Sequence, residues 1–303
     1  MTGTTPGPML AERPRPRSTS PVRLCVIADP HVAATGTGTW KQAHRSEALF
    51  ARAVATANRL DPALTLLAGD LSGDGRPASF DIVDSVLAEL ESPWIAVPGN
   101  HDVPKSFDAH RPPASGFESR YGELPAVVEA GPVSVLAMNT ASAPDQSLQS
   151  TWGGRLGERG RTWLTEAVMD CAVPVVLFHH NVGSLPDAPG GKFRHFQLQD
   201  SSAVQNVLSD NGVPLVITGH HHVPAVLPHD TATELLAPAV CSYPQAILVV
   251  DIGRAGTSVR LVPLASRTGV AAARFAATTG KPLAQGIAAL VDRRLTRLAP
   301  PSE

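Results

Sequence analysis

The 303-residue chain reads as an α/β protein built on a largely parallel sheet. Short apolar runs rich in Val, Ile, Leu and Ala alternate with amphipathic stretches of helical period, the pattern of strand–helix crossovers. Several of those runs stop at a Gly, Pro or Asn beside an Asp or His, which puts polar side chains at the carboxyl ends of strands. Composition agrees with a globular chain that buries a sizeable core: 43% of residues are hydrophobic and 17% charged. A net charge of −2 offers no basic surplus for nucleic acid.

Residues 1–20 read as a disordered tail, because Arg13, Arg15 and Arg17 alternate with Pro14 and Pro16 and no secretory h-region is present. No apolar run reaches the ~18 residues that cross a bilayer, so the cytoplasm is the expected location. Residues 22–28 form the first strand, nearly all apolar, as befits one covered on both faces. It ends at Asp29-Pro30-His31, where Pro30 terminates the ladder. A Gly/Thr loop and a helix over about 44–60 follow. The second strand, 63–68, ends in Gly69-Asp70, and Phe80, Val83, Val86, Leu87 and Leu90 mark the inner stripe of the next helix. The third, 94–97, stops at Pro98-Gly99-Asn100-His101-Asp102.

Residues 103–130 look irregular and Pro-rich. A strand at 133–138 precedes a loop containing Trp152-Gly153-Gly154 and a helix with Trp163, Leu164, Ala167 and Val168 inside. The strand at 173–178 ends in His179-His180-Asn181, and the long loop behind it carries Arg194 and His195 between Phe193 and Phe196. Asp200 is expected to cap a helix whose inner side is Val204, Val207 and Leu208, closed by Asn211-Gly212. The strand at 215–218 ends in Gly219-His220-His221-His222, and 247–251 with 258–262 form a hairpin. Residues 266–303 are a helical extension whose stripe of Ile287, Leu290, Val291, Leu295 and Leu298 packs on the domain or on a second subunit. Cys25, Cys171 and Cys241 are too few and too scattered for a disulfide framework and read as reduced thiols.

Five strand ends on one sheet edge bring Asp29, Asp70, Asn100 and several imidazoles into one pocket. Without a counter-ion the two carboxylates repel in a poorly solvated site, and divalent cations remove that cost. Imidazole with carboxylate suits Zn, Fe, Mn, Co or Ni better than Ca or Mg. No cysteine stands at the five ends, and the donors outnumber the needs of one tetrahedral ion, which favours two ions sharing a carboxylate.

Asp-x-His, Gly-Asp, Gly-Asn-His-Asp, a His after a strand and Gly-His-x-His, in that order over residues 29–222, resemble the calcineurin-like metallophosphoesterase superfamily. In size the chain is most similar to the bacterial branch of class III cyclic-nucleotide phosphodiesterases and glycerophosphodiesterases. The resemblance implies a four-layer α/β/β/α sandwich of two mixed sheets, with residues 21–265 as the catalytic domain. It implies that Asp29, His31 and His222 hold one metal ion and Asn100, His179 and His220 another, with Asp70 bridging. His101 matches the catalytic imidazole, close to the leaving-group oxygen. Either His179 or His180 suits the ligand place; His179 is taken, as the first residue after the strand. His180, His221, Arg194 and His195 then fall to the substrate side. The implied cofactors are two divalent or trivalent ions, Fe, Mn or Zn, with Mn active in vitro. The implied reaction is hydrolysis of a phosphodiester in a small molecule, a 3′,5′-cyclic nucleotide foremost, by a metal-bound hydroxide. Hydrolysis of phosphomonoesters, glycerophosphodiesters or nucleotides is the alternative, and a non-catalytic scaffold the rival from another class. The partner is a small phosphoester, with no nucleic-acid groove and no membrane, and a homodimer is compatible with the C-terminal helix.

Overall fold

A computed structural model describes residues 7–104, 111, 113–142, 152–188 and 196–298. Its elements, in chain order, are β1 (Met9–Arg13), β2 (Val22–Ile27), α1 (Ser46–Leu60), β3 (Leu64–Leu67), α2 (Pro77–Leu87), β4 (Trp94–Ala96), α3 (Ala114–Tyr121), β5 (Ala126–Ala130) and β6 (Val133–Ala137). After these come α4 (Gly157–Val168), β7 (Val173–Leu177), α5 (Ser201–Asp210), β8 (Leu215–Thr218), β9 (Ala225–Pro228), β10 (Thr233–Leu236), β11 (Ala246–Gly253), β12 (Gly256–Pro263), α6 (Arg267–Thr278) and α7 (Pro282–Leu298). The strands form two six-stranded sheets, ordered β1-β12-β11-β2-β3-β4 and β5-β6-β7-β8-β10-β9. Both are mixed: β2, β3 and β4 run parallel in the first, and β6, β7, β8 and β10 in the second, with antiparallel strands outside them.

The period of two along each strand decides which layer a side chain joins. In β2, Leu24 and Val26 face the second sheet, where they meet the shared core with Val133, Val135, Val175 and Ile217. Cys25 and Ile27 of the same strand face outward, under Leu49, Phe50 and Val54 of α1 and Phe80 and Val83 of α2. On the far side Leu136, Val176 and Val216 meet Leu164 of α4 and Val204 and Leu208 of α5. The result is the expected four-layer sandwich, helices outside two mixed sheets. The C-terminal extension packs on its own domain: Ile287, Leu290 and Val291 of α7 lie against Leu227 and Leu236. The Tyr243 hydroxyl donates to Asp292 Oδ1 at 2.8 Å.

Several expectations are corrected. The residues read as a disordered tail include β1, which pairs with β12 from Met9↔Arg260 to Arg13↔Thr257 and covers what would be an open sheet edge. The stretch taken as irregular holds α3 and β5, with Phe117 and Tyr121 buried beside Phe80. Strands β9 and β10 went unread. Asp200 precedes α5 but makes no side-chain cap to it. Its carboxylate instead accepts from the Leu156 and Gly157 N–H groups at 3.1 and 2.9 Å, closing the start of α4, and pairs with Arg161 at 2.6 Å. Asp200→Ala should therefore destabilise the chain by about 1–2 kcal/mol in urea unfolding, the loss typical of a helix cap. A midpoint unchanged from wild type would refute that role.

Candidate metal centre

The five strand ends converge, from two sheets and not from the one sheet edge expected: β2, β3 and β4 run parallel in the first and β7 and β8 in the second, and the packing of the two sheets brings their ends together. Nine non-glycine residues among those described have positive φ, and five of them are Asp29, His31, Asp70, His220 and His222. Backbone held there costs of order 1–3 kcal/mol per residue and persists where surrounding structure enforces it, typically at functional sites. The close approach of the β3 and β4 loops depends on Gly99: a Cβ there would fall 2.1 Å from Asp70 Oδ1. Asp102 ties the same loops together, accepting from the N–H groups of Leu71, Ser72 and Gly99 at 3.1, 2.8 and 2.9 Å.

Two cups of donor atoms share Asp70. In the first, His31 Nε2 lies 3.2 Å from His222 Nε2 and 3.4 Å from Asp70 Oδ2, while Asp29 Oδ1 lies 3.3 Å from His222 Nε2. In the second, His179 Nε2 lies 3.1 Å from His220 Nδ1, 3.2 Å from Asn100 Oδ1 and 3.5 Å from Asp70 Oδ1. Each Asp70 oxygen thus faces a different cup. His179 Nδ1 donates to the Ala68 carbonyl at 2.8 Å, which turns its Nε2 lone pair inward, and His222 Nδ1 meets Ser242 Oγ at 2.7 Å, which orients that ring.

Lone pairs facing lone pairs in a dry pocket demand a positive charge between them. Asp29 Oδ1 and His220 Nε2 are buried without any hydrogen-bond partner. Burial pushes the Asp29 carboxyl up to about 7, and the Asp70 charge adds to that rise. Asp70 is held below the usual carboxylate range: burial opposes this, but its neighbours His179, His101 and Lys41 and the His101 N–H outweigh it. Burial, then neighbouring cationic groups, hold His31, His220 and His222 well below the ordinary imidazole value. Neutral imidazoles beside two carboxylates make a donor set that fits divalent ions.

His101 stands at the mouth of the pocket. Its Nδ1 donates to the Gly73 carbonyl at 2.7 Å, its backbone N–H donates to Asp70 Oδ1 at 2.7 Å, and its carbonyl accepts from Arg111 Nη1 at 2.5 Å. His180 takes a different direction from His179, with Nδ1 against Thr140 Oγ1 at 3.0 Å. His180 and His221, expected on the substrate side, are both buried, at 0% and 3% exposure. Arg194 and His195 lie outside the described residues.

Two neighbours escaped the sequence reading. Lys41 Nζ lies 3.0 Å from His31 Nε2 and 3.3 Å from His101 Nε2. Cys241 joins His31 and His222 in a group whose donor atoms all lie within 4.8 Å. Neither belongs to a strand-end motif, so nothing in the local sequence separates Lys41 from a surface lysine or Cys241 from a core thiol.

Residues 22–224 match the calcineurin-like phosphoesterase family. A probable cyclic nucleotide phosphodiesterase of Synechococcus sp. is 29% identical over 217 residues, 71% of this chain and 77% of that protein. Another from Psychrobacter arcticus is 23% identical over 203 residues, 64% of this chain and 68% of that one. Among solved structures, a dimetal phosphatase from Danio rerio shares the fold with a TM-score of 0.65 at 15% identity, over 81% of this chain and 97% of its own. No helix among the described residues is long and apolar enough to cross a membrane. With strand-end motifs, two-sheet architecture and family match in agreement, the chain belongs to the calcineurin-like phosphoesterase family and is a metal-dependent phosphoesterase.

Proposed function

We propose that the chain is a dinuclear phosphodiesterase acting on small molecules, with a 3′,5′-cyclic nucleotide as the foremost substrate. The observation that carries this is the pair of donor cups joined through the two oxygens of Asp70. Asp29, His31 and His222 would hold one ion and Asn100, His179 and His220 the other, with Fe, Mn or Zn suited to these donors. When bound, such a pair lowers the pKa of water and neutralises charge on a phosphoryl group. His101, its Nδ1 fixed by the Gly73 carbonyl, turns Nε2 to Lys41 Nζ, from which it accepts at 3.3 Å; protonated there, it would give that proton to the departing oxygen. Lys41 places an ammonium beside that nitrogen and adds positive charge where phosphate arrives. The names of the Synechococcus and Psychrobacter relatives support the cyclic-nucleotide reading.

A second reading is hydrolysis of phosphomonoesters, favoured by the extra positive charge of Lys41 and Arg111 around His101, which suits a dianion. A turnover panel with Mn²⁺ separates the two: 3′,5′- and 2′,3′-cyclic nucleotides, glycerophosphodiesters, and a chromogenic diester against its monoester. The expected result is kcat/KM at least about tenfold higher for the diester and for a cyclic nucleotide than for the monoester, some 1.4 kcal/mol of transition-state preference. Faster monoester turnover would replace the first reading with the second.

A further inference from the structure

We propose that Glu234 is a positioning residue for the second donor cup, its carboxylate holding in place the strand ends that bear His179 and His220; the inference rests on the dinuclear reading of the centre. Glu234 lies on β10 and is fully buried, at 0% exposure. Alternation along the strand sends its neighbour Leu235, paired with Ile217, into the core between the sheets. Glu234, paired with Val216, therefore turns to the outer face, where Val216 packs among apolar side chains. An apolar side chain would suit that layer, since a buried carboxylate is costly unless its lone pairs are filled. They are filled here. Oε1 accepts from the Val182 N–H at 2.8 Å and the Thr218 hydroxyl at 3.1 Å, and Oε2 accepts from the Gly183 N–H at 2.8 Å and His229 Nε2 at 2.9 Å.

Three of those donors belong to the segments that carry the imidazoles of the second cup. Val182 and Gly183 closely follow His179, and Thr218 stands just before Gly219-His220. The two strand ends are bonded to each other: the Phe178 N–H donates to the Ile217 carbonyl and the Gly219 N–H to the His179 carbonyl, both at 3.0 Å. Beyond β7 the chain leaves the sheet, and the Glu234 carboxylate accepts from two successive N–H groups as a neighbouring strand would. The approach is close, because a Cβ on Gly183 would stand 3.2 Å from Glu234 Oε2 and 2.7 Å from His229 Cε1. His179 Nε2 and His220 Nδ1 are 3.1 Å apart, so a shift of either segment changes the spacing a cation meets. Asp29 and His31 of the first cup follow β2 in the other sheet, which confines the effect to the second.

The test titrates Mn²⁺ into the full chain and into Glu234→Gln, Thr218→Val and Leu235→Ala. Electron paramagnetic resonance counts unbound ion and follows the signal of coupled ion pairs, and urea unfolding gives each midpoint. Glu234→Gln keeps the side-chain volume but turns an amide N–H₂ toward one of the former donors; Thr218→Val keeps the shape and drops the hydroxyl. The expected result in Glu234→Gln is one ion weakened about tenfold or more, with the coupled signal lost, and the other held within about twofold of wild type. Thr218→Val weakens the same ion about threefold, the loss of one ordinary hydrogen bond, and decides the matter if Glu234→Gln does not fold. Leu235→Ala opens a cavity between the sheets, lowering the midpoint while both ions bind as in wild type. Two ions held at wild-type affinity in Glu234→Gln, or in Thr218→Val where that is the folded variant, would overturn the positioning role. Equal weakening in Leu235→Ala would overturn it too, reducing the effect to stability. Wild type that binds fewer than two ions would overturn the dinuclear reading itself, and this inference with it.

Discussion

Asp70→Ala is expected to lose both ions as well as turnover. Each Asp70 oxygen faces one donor cup, at 3.4 Å from His31 Nε2 and 3.5 Å from His179 Nε2, so removing the carboxylate strips a ligand from both sites together. The remaining donors of the two cups include a single carboxylate, Asp29, beside four imidazoles and an amide, so half of the negative charge that binds cations goes too. Lewis-acid stabilisation by such ions is worth several kcal/mol, and losing it lowers kcat/KM on the order of 10³-fold or more. Metal analysis after dialysis against Mn²⁺ reads the first effect and a chromogenic diester the second. Asp70→Asn controls for the cavity, since it keeps the side-chain volume and one acceptor for the His101 N–H, now at 2.7 Å. It should hold metal weakly and fold as wild type does. Two ions retained in Asp70→Ala would remove this residue from the bridging role.

The convergence tested by that variant was legible before any coordinates, and the reason is physical. A strand that ends in Asp-Pro-His or Gly-His-His-His advertises both a break in the ladder and polar atoms at the break, and parallel strands of one sheet end on one edge; that the edges of the two sheets meet is a packing outcome. His179 is taken over His180 as the first residue after the strand, the place of the ligand in the family it resembles; in the structure His179 Nε2 meets Asn100 and His220 while His180 Nδ1 meets Thr140, and all three imidazoles of His179, His180 and His220 have a nitrogen within 4.8 Å of one another. Lys41 was not legible, because its position is set by where the loop after His31 folds back, a tertiary outcome with no local pattern. Strand β1 was hidden for a similar reason: Met9, Leu10 and Ala11 become a strand only because the edge of β12 is there to pair with them. Asp200 was read as capping its own helix, yet the carboxylate is taken by the start of α4 more than forty positions earlier in the chain. Local rules name the residue type that a helix start needs, and tertiary packing decides which helix receives it.

His101→Ala is expected to leave both ions in place and lower kcat by ~10²–10⁴-fold, the usual loss when a positioned proton donor is removed. The ring stands outside the two cups as assigned, with a ring nitrogen within 4.8 Å of donor atoms of His31 and Asp70; it also reaches the centre through its backbone N–H on Asp70, which alanine retains. What alanine removes is Nε2, held in place by the Nδ1 contact to Gly73 and flanked by the Lys41 ammonium at 3.3 Å. The deficit should therefore scale with the basicity of the leaving oxygen. A p-nitrophenolate departs without much help from a proton, whereas a ribose alkoxide needs one, so the variant should retain far more activity on the chromogenic diester than on a cyclic nucleotide. Plotting the logarithm of kcat/KM against leaving-group pKa for a series of aryl and alkyl diesters should give a steeper slope in the variant than in wild type. Parallel lines would mean that His101 orients the phosphoryl group without giving a proton, and lost metal would mean that the ring braces Asp70. The slope separates the acid from the other two, because only a proton donor is felt in proportion to the charge left on the departing oxygen.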